Sequence, residues 1–197
     1  MRYPHSSVFM VLVLLLAGCF RSPAARFYSL IAEPQVEASP PLLSDGVRLE
    51  VSSIIFPKYL DDPRMVVRMG TNELRRDEYE RWIEAPRINF RDALLKRLSE
   101  DLKSANVFSS DNYSQRRGTQ LLQVEVLQFD VTEEGKALLQ VRWAIGANRD
   151  VIATGPLTVS EFSGNAEGSS GGDHVAALSK LLREFSQVVA QAVLLKR

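Results

Sequence analysis

The strongest structural pattern in this sequence lies in residues 119–147, TQLLQVEVLQFDVTEEGKALLQVRWAIGA. Residues 119–132 and 137–147 are rich in aliphatic and aromatic side chains, and the Glu-Glu-Gly-Lys between them is typical of a turn. In the second segment apolar side chains alternate with polar or small ones, and the apolar members are Leu139, Val141, Trp143 and Ile145. This period of two predicts a half-buried β-hairpin.

Shorter segments on both sides of the hairpin also have the composition of strands. Residues 26–32, 46–56 and 64–68 precede it, and residues 151–162 follow it after a short turn. Residues 33–45 contain three prolines and no period, so we expect a loop there. Together these segments indicate a sheet of about six strands.

Two segments have the three-and-four spacing of amphipathic helices. The first runs over residues 86–105 and begins with Pro86, which suits the first turn of a helix. The second follows a Gly/Ser-rich loop at residues 163–172, and Asp173 is its predicted N-cap. Two such helices packed on a mostly antiparallel sheet predict an α+β fold of two layers.

The composition excludes several classes of protein. The 197 residues include 24 basic and 24 acidic side chains, so a strongly electrostatic nucleic-acid binder is not expected. One Cys excludes an internal disulfide and a metal site built from several thiolates. Two His are too few for a metal site built from His ligands, and we expect no metal and no cofactor.

No catalytic constellation is recognisable in the sequence. No Ser stands in a G-x-S-x-G elbow, and the glycines of residues 168–172 lack the Lys of a phosphate-binding loop. The acidic pairs at residues 61–62 and 133–134 lie in predicted turns, where neighbouring side chains diverge into water. His174 stands beside Asp173 at a helix start, which favours a solvated or capping role. We therefore expect no catalytic residues.

The N-terminus has the pattern of an exported protein. Residues 8–16 form a nine-residue apolar stretch, too short for a membrane span but long enough for the core of a signal peptide. The next residues, Leu16-Ala17-Gly18-Cys19, resemble the bacterial lipobox. The alternative interpretation is an accidental or buried Cys after an ordinary signal peptide.

The lipobox resemblance implies how the chain is organised. Residues 1–18 would be a signal peptide, and Cys19 would carry a covalent diacylglycerol on sulfur and an acyl chain on its amine. Residues 19–25 would be the lipidated tether, followed by a single periplasmic domain over residues 26–197. Phe20 follows the Cys in place of Asp, which by resemblance to enterobacterial sorting implies the periplasmic face of the outer membrane.

Residues 56–68, FPKYLDDPRMVVR, resemble the x-P-x-Y-L-D-x-P-x-(I/V)-V-x-R motif of the ABC-type transport auxiliary lipoproteins. Residues 27–30, FYSL, resemble the family's (F/Y)-Y-x-L element. The segment at residues 72–86, which contains Trp82 and ends in Glu-Ala-Pro, resembles a third element of the family. The hairpin followed by a long helix is also similar.

This resemblance implies a non-catalytic accessory or docking lipoprotein in an ABC/MCE-type intermembrane lipid-transport system. Its partners would be a membrane, reached through the lipid anchor, an MCE-domain periplasmic protein and ABC transporter subunits, with a homo-oligomer also compatible. Two alternatives stay open at this point. One is an envelope assembly or scaffolding lipoprotein, and the other is a periplasmic lipid-binding carrier with its own hydrophobic cavity.

The motif also supplies a candidate partner surface, which consists of Tyr59, Leu60, Asp61, Pro63, Arg68 and Trp82. An aromatic ring with a polar edge suits a protein interface, which favours Trp82 as a contact. The alternative is structural: the prolines rigidify a turn, Tyr59 and Leu60 fill the core, and Asp61 caps backbone N–H groups.

Overall fold

The structure is a computed structural model, and it describes residues 23–30, 47–110, 118–147 and 157–195. Within these ranges the chain forms one sheet of eight strands and two helices. In chain order they are β1 (Arg26–Tyr28), β2 (Leu49–Ile55), β3 (Arg64–Arg68), β4 (Leu74–Trp82), α1 (Pro86–Asp101), β5 (Val107–Ser109), β6 (Gln120–Thr132), β7 (Lys136–Gly146), β8 (Thr158–Asn165) and α2 (Gly171–Leu195). The predicted α+β fold of two layers is confirmed, with eight strands in place of about six.

The predicted hairpin is present as β6 and β7, and β8 adds a second long antiparallel pairing. Gly135 occupies the turn with a φ of 83°, a left-handed conformation that glycine adopts without strain. Its N–H donates to the carbonyl of Thr132 at 2.9 Å. We call β6, β7 and β8 the hairpin arm of the sheet.

The other edge of β6 carries two separate groups of strands. β2 pairs in parallel with residues 120–125 of β6 and carries β5 on its far side. β3 pairs in parallel with the last two residues of β6, and β4 and then β1 continue the sheet beyond it. We call residues 56–63 together with β3, β4 and β1 the motif arm. The 13-residue length of β6 allows both groups to share one edge.

The core lies between the sheet and the two helices. Phe56, Phe90 and Phe129 pack edge to face, with ring centroids 5.3–6.3 Å apart. Phe185 of α2 packs in the same manner on Trp143 of β7 at 6.1 Å. Both predicted helices are confirmed, and α1 ends at Asp101, a few residues before the predicted boundary.

The start of α2 differs from the prediction. The helix begins at Gly171, and Ser170 is the N-cap. The Ser170 hydroxyl accepts the Asp173 N–H at 3.2 Å, while the Asp173 carboxylate accepts the Ser170 N–H at 3.1 Å. This reciprocal capping box places Asp173 at the third helical position, so its predicted role as the N-cap is wrong.

Other boundaries shift by a few residues. β8 extends to Asn165, so the expected loop from residue 163 starts later. β1 ends at Tyr28, whereas its predicted segment ran to residue 32. The predicted loop at residues 33–45, residues 151–156 of the last predicted strand, and the signal segment with Cys19 lie outside the described residues.

β4 and β5 are strands that the sequence did not predict. Most of β4 is exposed, and only its last three residues alternate in burial. Its charged composition, LRRDEYERW, therefore lacks the period of a half-buried strand. β5 has only three residues.

Candidate partner-binding site

The turn that precedes β3 is closed by its own backbone. The N–H groups of Leu60 and Asp61 donate to the carbonyl of Pro57 at 3.0 and 3.2 Å. At the other end of the turn, the carbonyl of Pro63 accepts the N–H of Trp82 at 2.7 Å. The turn is thereby fixed to the end of β4, and the prediction of a turn between two prolines is confirmed.

The second acid of the turn is bound internally. The Asp62 carboxylate accepts the backbone N–H of Arg64 at 2.9 Å and two bonds from its guanidinium at 3.0 Å. Arg76 of β4 approaches the same carboxylate at 3.3 Å. These contacts, the Arg64 side chain above all, lower the pKa of Asp62 to about 2. Arg64 also reaches Glu78 at 2.8 Å, so one guanidinium joins the turn to β4.

A second ion pair ties β3 to β6. Arg68 donates to Asp130 at 2.6 Å, and the Asp130 side chain is fully buried while that of Arg68 is 22% exposed. Gln128 donates to the other oxygen of Asp130 at 2.8 Å. Tyr59 lies half-buried beside this pair, and burial, followed by the Asp130 carboxylate, raises its pKa. The Tyr59 hydroxyl therefore keeps its proton at any physiological pH.

Leu60 and Trp82 meet at a small apolar cleft under the turn. Both are buried, and Phe129 and His174 line the same cleft. The free space has room for little more than a water molecule. Leu60 and Trp82 therefore act through packing, and they do not present a surface to a partner.

The inner face of β1 and β4 meets the first turn of α2. Glu80 is buried and forms an ion pair with Arg26. The Tyr28 ring lies beside the Glu80 carboxylate. A Cβ placed on Gly171 would lie 2.5 Å from a Glu80 oxygen and 2.9 Å from the Tyr28 ring. Burial, and then the Glu80 carboxylate, raises the pKa of Tyr28. A carboxylate at a helix N-terminus is electrostatically favourable, and glycine allows its close approach.

His174, the one histidine in the described residues, is buried near this cluster. Burial lowers its pKa, so the ring is neutral at neutral pH. Its Nε2 has no hydrogen-bond partner within the described residues, and Ser170 makes the cap. The expectation of a solvated or capping role for His174 is therefore wrong.

The described parts of the chain contain no set of three His, Cys, Asp or Glu side chains that could hold a metal ion. In the same residues, no helix is long and apolar enough to cross a membrane.

The six residues of the predicted surface fall into three groups. Leu60 and Trp82 are buried, and Tyr59 and Arg68 are partly buried and held against Asp130. Asp61 and Pro63 are exposed at the turn, with Asp61 3.8 Å from Arg87 of α1. A direct contact with a partner is therefore available mainly to Asp61 and Pro63. Cys19 lies outside the described residues.

Sequence reasoning did not identify Glu80 and Asp130 as buried anchors of this region. Their arginine partners lie 54 and 62 residues away in the chain, so no local pattern links them. Asp130 gave no signal of its own, because it stands between Phe129 and Val131 as a regular polar member of the alternation in residues 128–132.

Two crystal structures have a similar fold. One, of an uncharacterized protein, has a TM-score of 0.66 at 17% sequence identity, and the match covers 87% of this chain and 99% of that one. The other, of a Xanthomonas campestris protein assigned to the DUF330 family, has a TM-score of 0.64 at 17% identity and covers 84% and 93%. At this identity the likeness shows the fold alone. No curated protein sequence matches the chain significantly.

The decisive comparison is with a protein family. The sequence pattern of the family described as ABC-type transport auxiliary lipoprotein component matches residues 28–190. That span starts in β1 and ends in α2, so it contains the turn, the cleft and the ion pairs Asp62–Arg64 and Arg68–Asp130. The chain therefore belongs to the ABC-type transport auxiliary lipoprotein component family.

Proposed function

We propose that this protein is a lipid-anchored, non-catalytic docking component of an ABC/MCE-type intermembrane lipid-transport system. Membership of the auxiliary family carries the proposal, because it matches residues 28–190 and associates the chain with ABC transport. The lipobox-like Leu16-Ala17-Gly18-Cys19 supports the membrane anchor. The docking partner is an MCE-domain periplasmic protein, and the location is the periplasmic face of the outer membrane.

The anchor consists of acyl chains on Cys19. Each buried CH₂ contributes roughly 0.8 kcal/mol, and one acyl chain alone gives only marginal binding, so the diacylglycerol and the N-acyl chain act together. We expect Cys19→Ser to abolish labelling by a palmitate analogue and to release the protein from membranes. Ser169→Cys in the same variant is the control, because it restores a thiol at an exposed position outside the lipobox. Retained labelling in Cys19→Ser would refute the anchor.

The docking surface is the exposed tip of the turn. Asp61 and Pro63 stand on a rigid base, because Asp62 is bound to Arg64 and the Pro63 carbonyl is bound to Trp82. A preorganised tip loses little conformational entropy on binding, which favours recognition by a partner. Asp61 supplies a carboxylate, and Arg87, its ion-pair partner among the described residues, is weakly engaged at 3.8 Å.

A charge reversal tests this surface. We expect Asp61→Lys to reduce recovery of an MCE-domain protein from cross-linked membranes by about tenfold, the effect of roughly 1.4 kcal/mol. Glu133→Lys is the matched control, because Glu133 is also an exposed acid in a turn. The melting temperature of both variants is measured in parallel. Equal recovery from the two variants would exclude the tip as the contact.

The same membranes separate the proposal from its alternatives. Recovery of cell-wall or assembly factors without an MCE or ABC subunit would indicate a scaffolding lipoprotein. Phospholipid at near equimolar occupancy in native mass spectrometry would indicate a lipid carrier. Sedimentation of the membranes through a sucrose gradient distinguishes the outer from the inner membrane.

A further inference from the structure

An exposed apolar patch lies at the β1 edge of the sheet. Phe27 of β1 is 57% exposed, and Ile83, which follows β4, is 59% exposed. The two are neighbours, because Phe27 pairs with Arg81 and the Ile83 N–H donates to the carbonyl of Tyr28 at 2.9 Å. Tyr79 of the same strand is 43% exposed.

This patch lies on the side of the sheet away from α2. Tyr28 and Glu80 approach Gly171 at the start of that helix, and Trp82 is buried in the core. Side chains alternate along a strand, so Phe27 and Ile83 project to the opposite side. Nothing in the described parts of the chain covers them.

The two arginines beside the patch are paired within the protein, whereas Glu84, next to Ile83, is exposed. Arg26 pairs with Glu80, and Arg81 pairs with Glu78 at 3.5 Å. The Arg81 guanidinium also donates to the Glu78 carbonyl at 3.0 Å. The patch therefore offers apolar surface with little free positive charge, so a polyanionic partner would gain little from binding there.

The proposed lipid anchor at Cys19 places the membrane near the patch. Cys19 precedes the first described residue, Pro23, by four residues and Phe27 by eight. An extended chain spans at most about 3.6 Å per residue, so Phe27 lies within roughly 29 Å of the Cys19 backbone. No other exposed apolar residue of the described elements is this close to Cys19 in the chain.

We propose that Phe27, Ile83 and Tyr79 rest on the bilayer surface and make a second membrane contact beside the acyl chains. This inference rests on the proposed anchor at Cys19. Aromatic side chains are favoured at the level of the lipid headgroups, and apolar area buried in this layer adds to membrane binding. The contact holds the β1 edge toward the membrane and leaves the opposite edge strand, β8, farther from it.

Depth-dependent quenching tests the contact in the full lipoprotein. Phe27→Trp and Ile83→Trp are reconstituted separately into phosphatidylcholine vesicles, with and without bromine on the acyl chains. Val159→Trp is the matched control, since Val159 is 60% exposed on β8 at the other edge of the sheet. The wild-type protein supplies the background from buried Trp82 and Trp143.

We expect bromine to quench the two reporters at least about threefold more than the control, because their rings sit at the headgroup level. Salt of about 1 M, where the Debye length is roughly 3 Å, should leave the quenching unchanged. Equal quenching of reporters and control, in protein that floats with the vesicles, would overturn this inference and leave the anchor intact.

Two other outcomes would show which step of the proposal fails. Wild-type protein that fails to float with the vesicles would remove the anchor and this inference together. Reporter emission that shifts to the blue with rising protein density, without bromine quenching, would show that a second copy covers the patch. That result would also overturn the bilayer contact.

Discussion

The hairpin arm and the motif arm of the sheet are stabilised by different interactions. The hairpin arm has long antiparallel pairings between segments that are close in sequence, over an apolar inner face. The motif arm has short pairings. Charged side chains join its turn to β4, β3 to β6, and β4 to the start of α2. Regular alternation is sufficient for the first arm, whereas the second depends on particular polar residues.

The largest expected difference in the free energy of unfolding is between variants that break an ion pair in each arm. Arg68→Ala leaves the fully buried Asp130 without its cation, which should lower the free energy of unfolding by about 3–5 kcal/mol. Arg142→Ala is the control on the hairpin arm, because its pair with Glu125 is 40% and 34% exposed and is expected to contribute less than about 1 kcal/mol. Urea denaturation measures both.

A double variant sharpens this result. Replacing the pair with Arg68→Met and Asp130→Leu removes the uncompensated charge and should recover much of the lost stability. If Arg68→Ala and Arg142→Ala have equal effects, the ion pair does not distinguish the two arms.

A smaller effect is expected where the motif arm meets α2. A Cβ on Gly171 would lie 2.5 Å from Glu80, so Gly171→Ala should lower the free energy of unfolding by about 1–3 kcal/mol through overpacking. Gly172→Ala is its neighbour control, since its Cβ would meet atoms no closer than 3.6 Å. Thermal unfolding compares the two variants. Equal melting temperatures would show that the Glu80 side chain can move away from residue 171 at little cost.

The smallest expected effect is the pH-dependent contribution of Asp62 to the free energy of unfolding. The pKa of Asp62 is lowered from 3.8 to about 2, so its stabilising contribution is present above pH 3.8 and is lost as the pH falls through 2. Solvent reaches this pair, so we expect about 1 kcal/mol or less. Asp62→Asn should lose stability less steeply than the wild-type protein between these pH values in urea titrations. Parallel curves for the two proteins would contradict the assignment.

Much of the fold could be predicted because its signals are local. The hairpin and both helices follow from alternation or a three-and-four spacing, and β3 follows from its strand-like composition. The family resemblance of residues 56–68 is confirmed. β4 was missed because its exposed residues carry charge on both faces. The N-cap was assigned to Asp173, because the sequence does not show which partner of a capping box precedes the helix.

The candidate site was predicted less completely. The motif indicated the turn and its six residues, but their division into buried and exposed members depends on tertiary contacts. Trp82 is buried because the turn folds over the end of β4, and Arg68 is held by a carboxylate 62 residues away. Neither contact has a local sequence pattern.

Photo-cross-linking in intact membranes tests the docking role most directly. A photoreactive amino acid is placed at position 61 in the full lipoprotein, and a second at position 133 is the control. The proposal predicts that position 61 captures an MCE-domain protein and that position 133 does not. Capture of cell-wall assembly factors at position 61, or identical products from both positions, would contradict it.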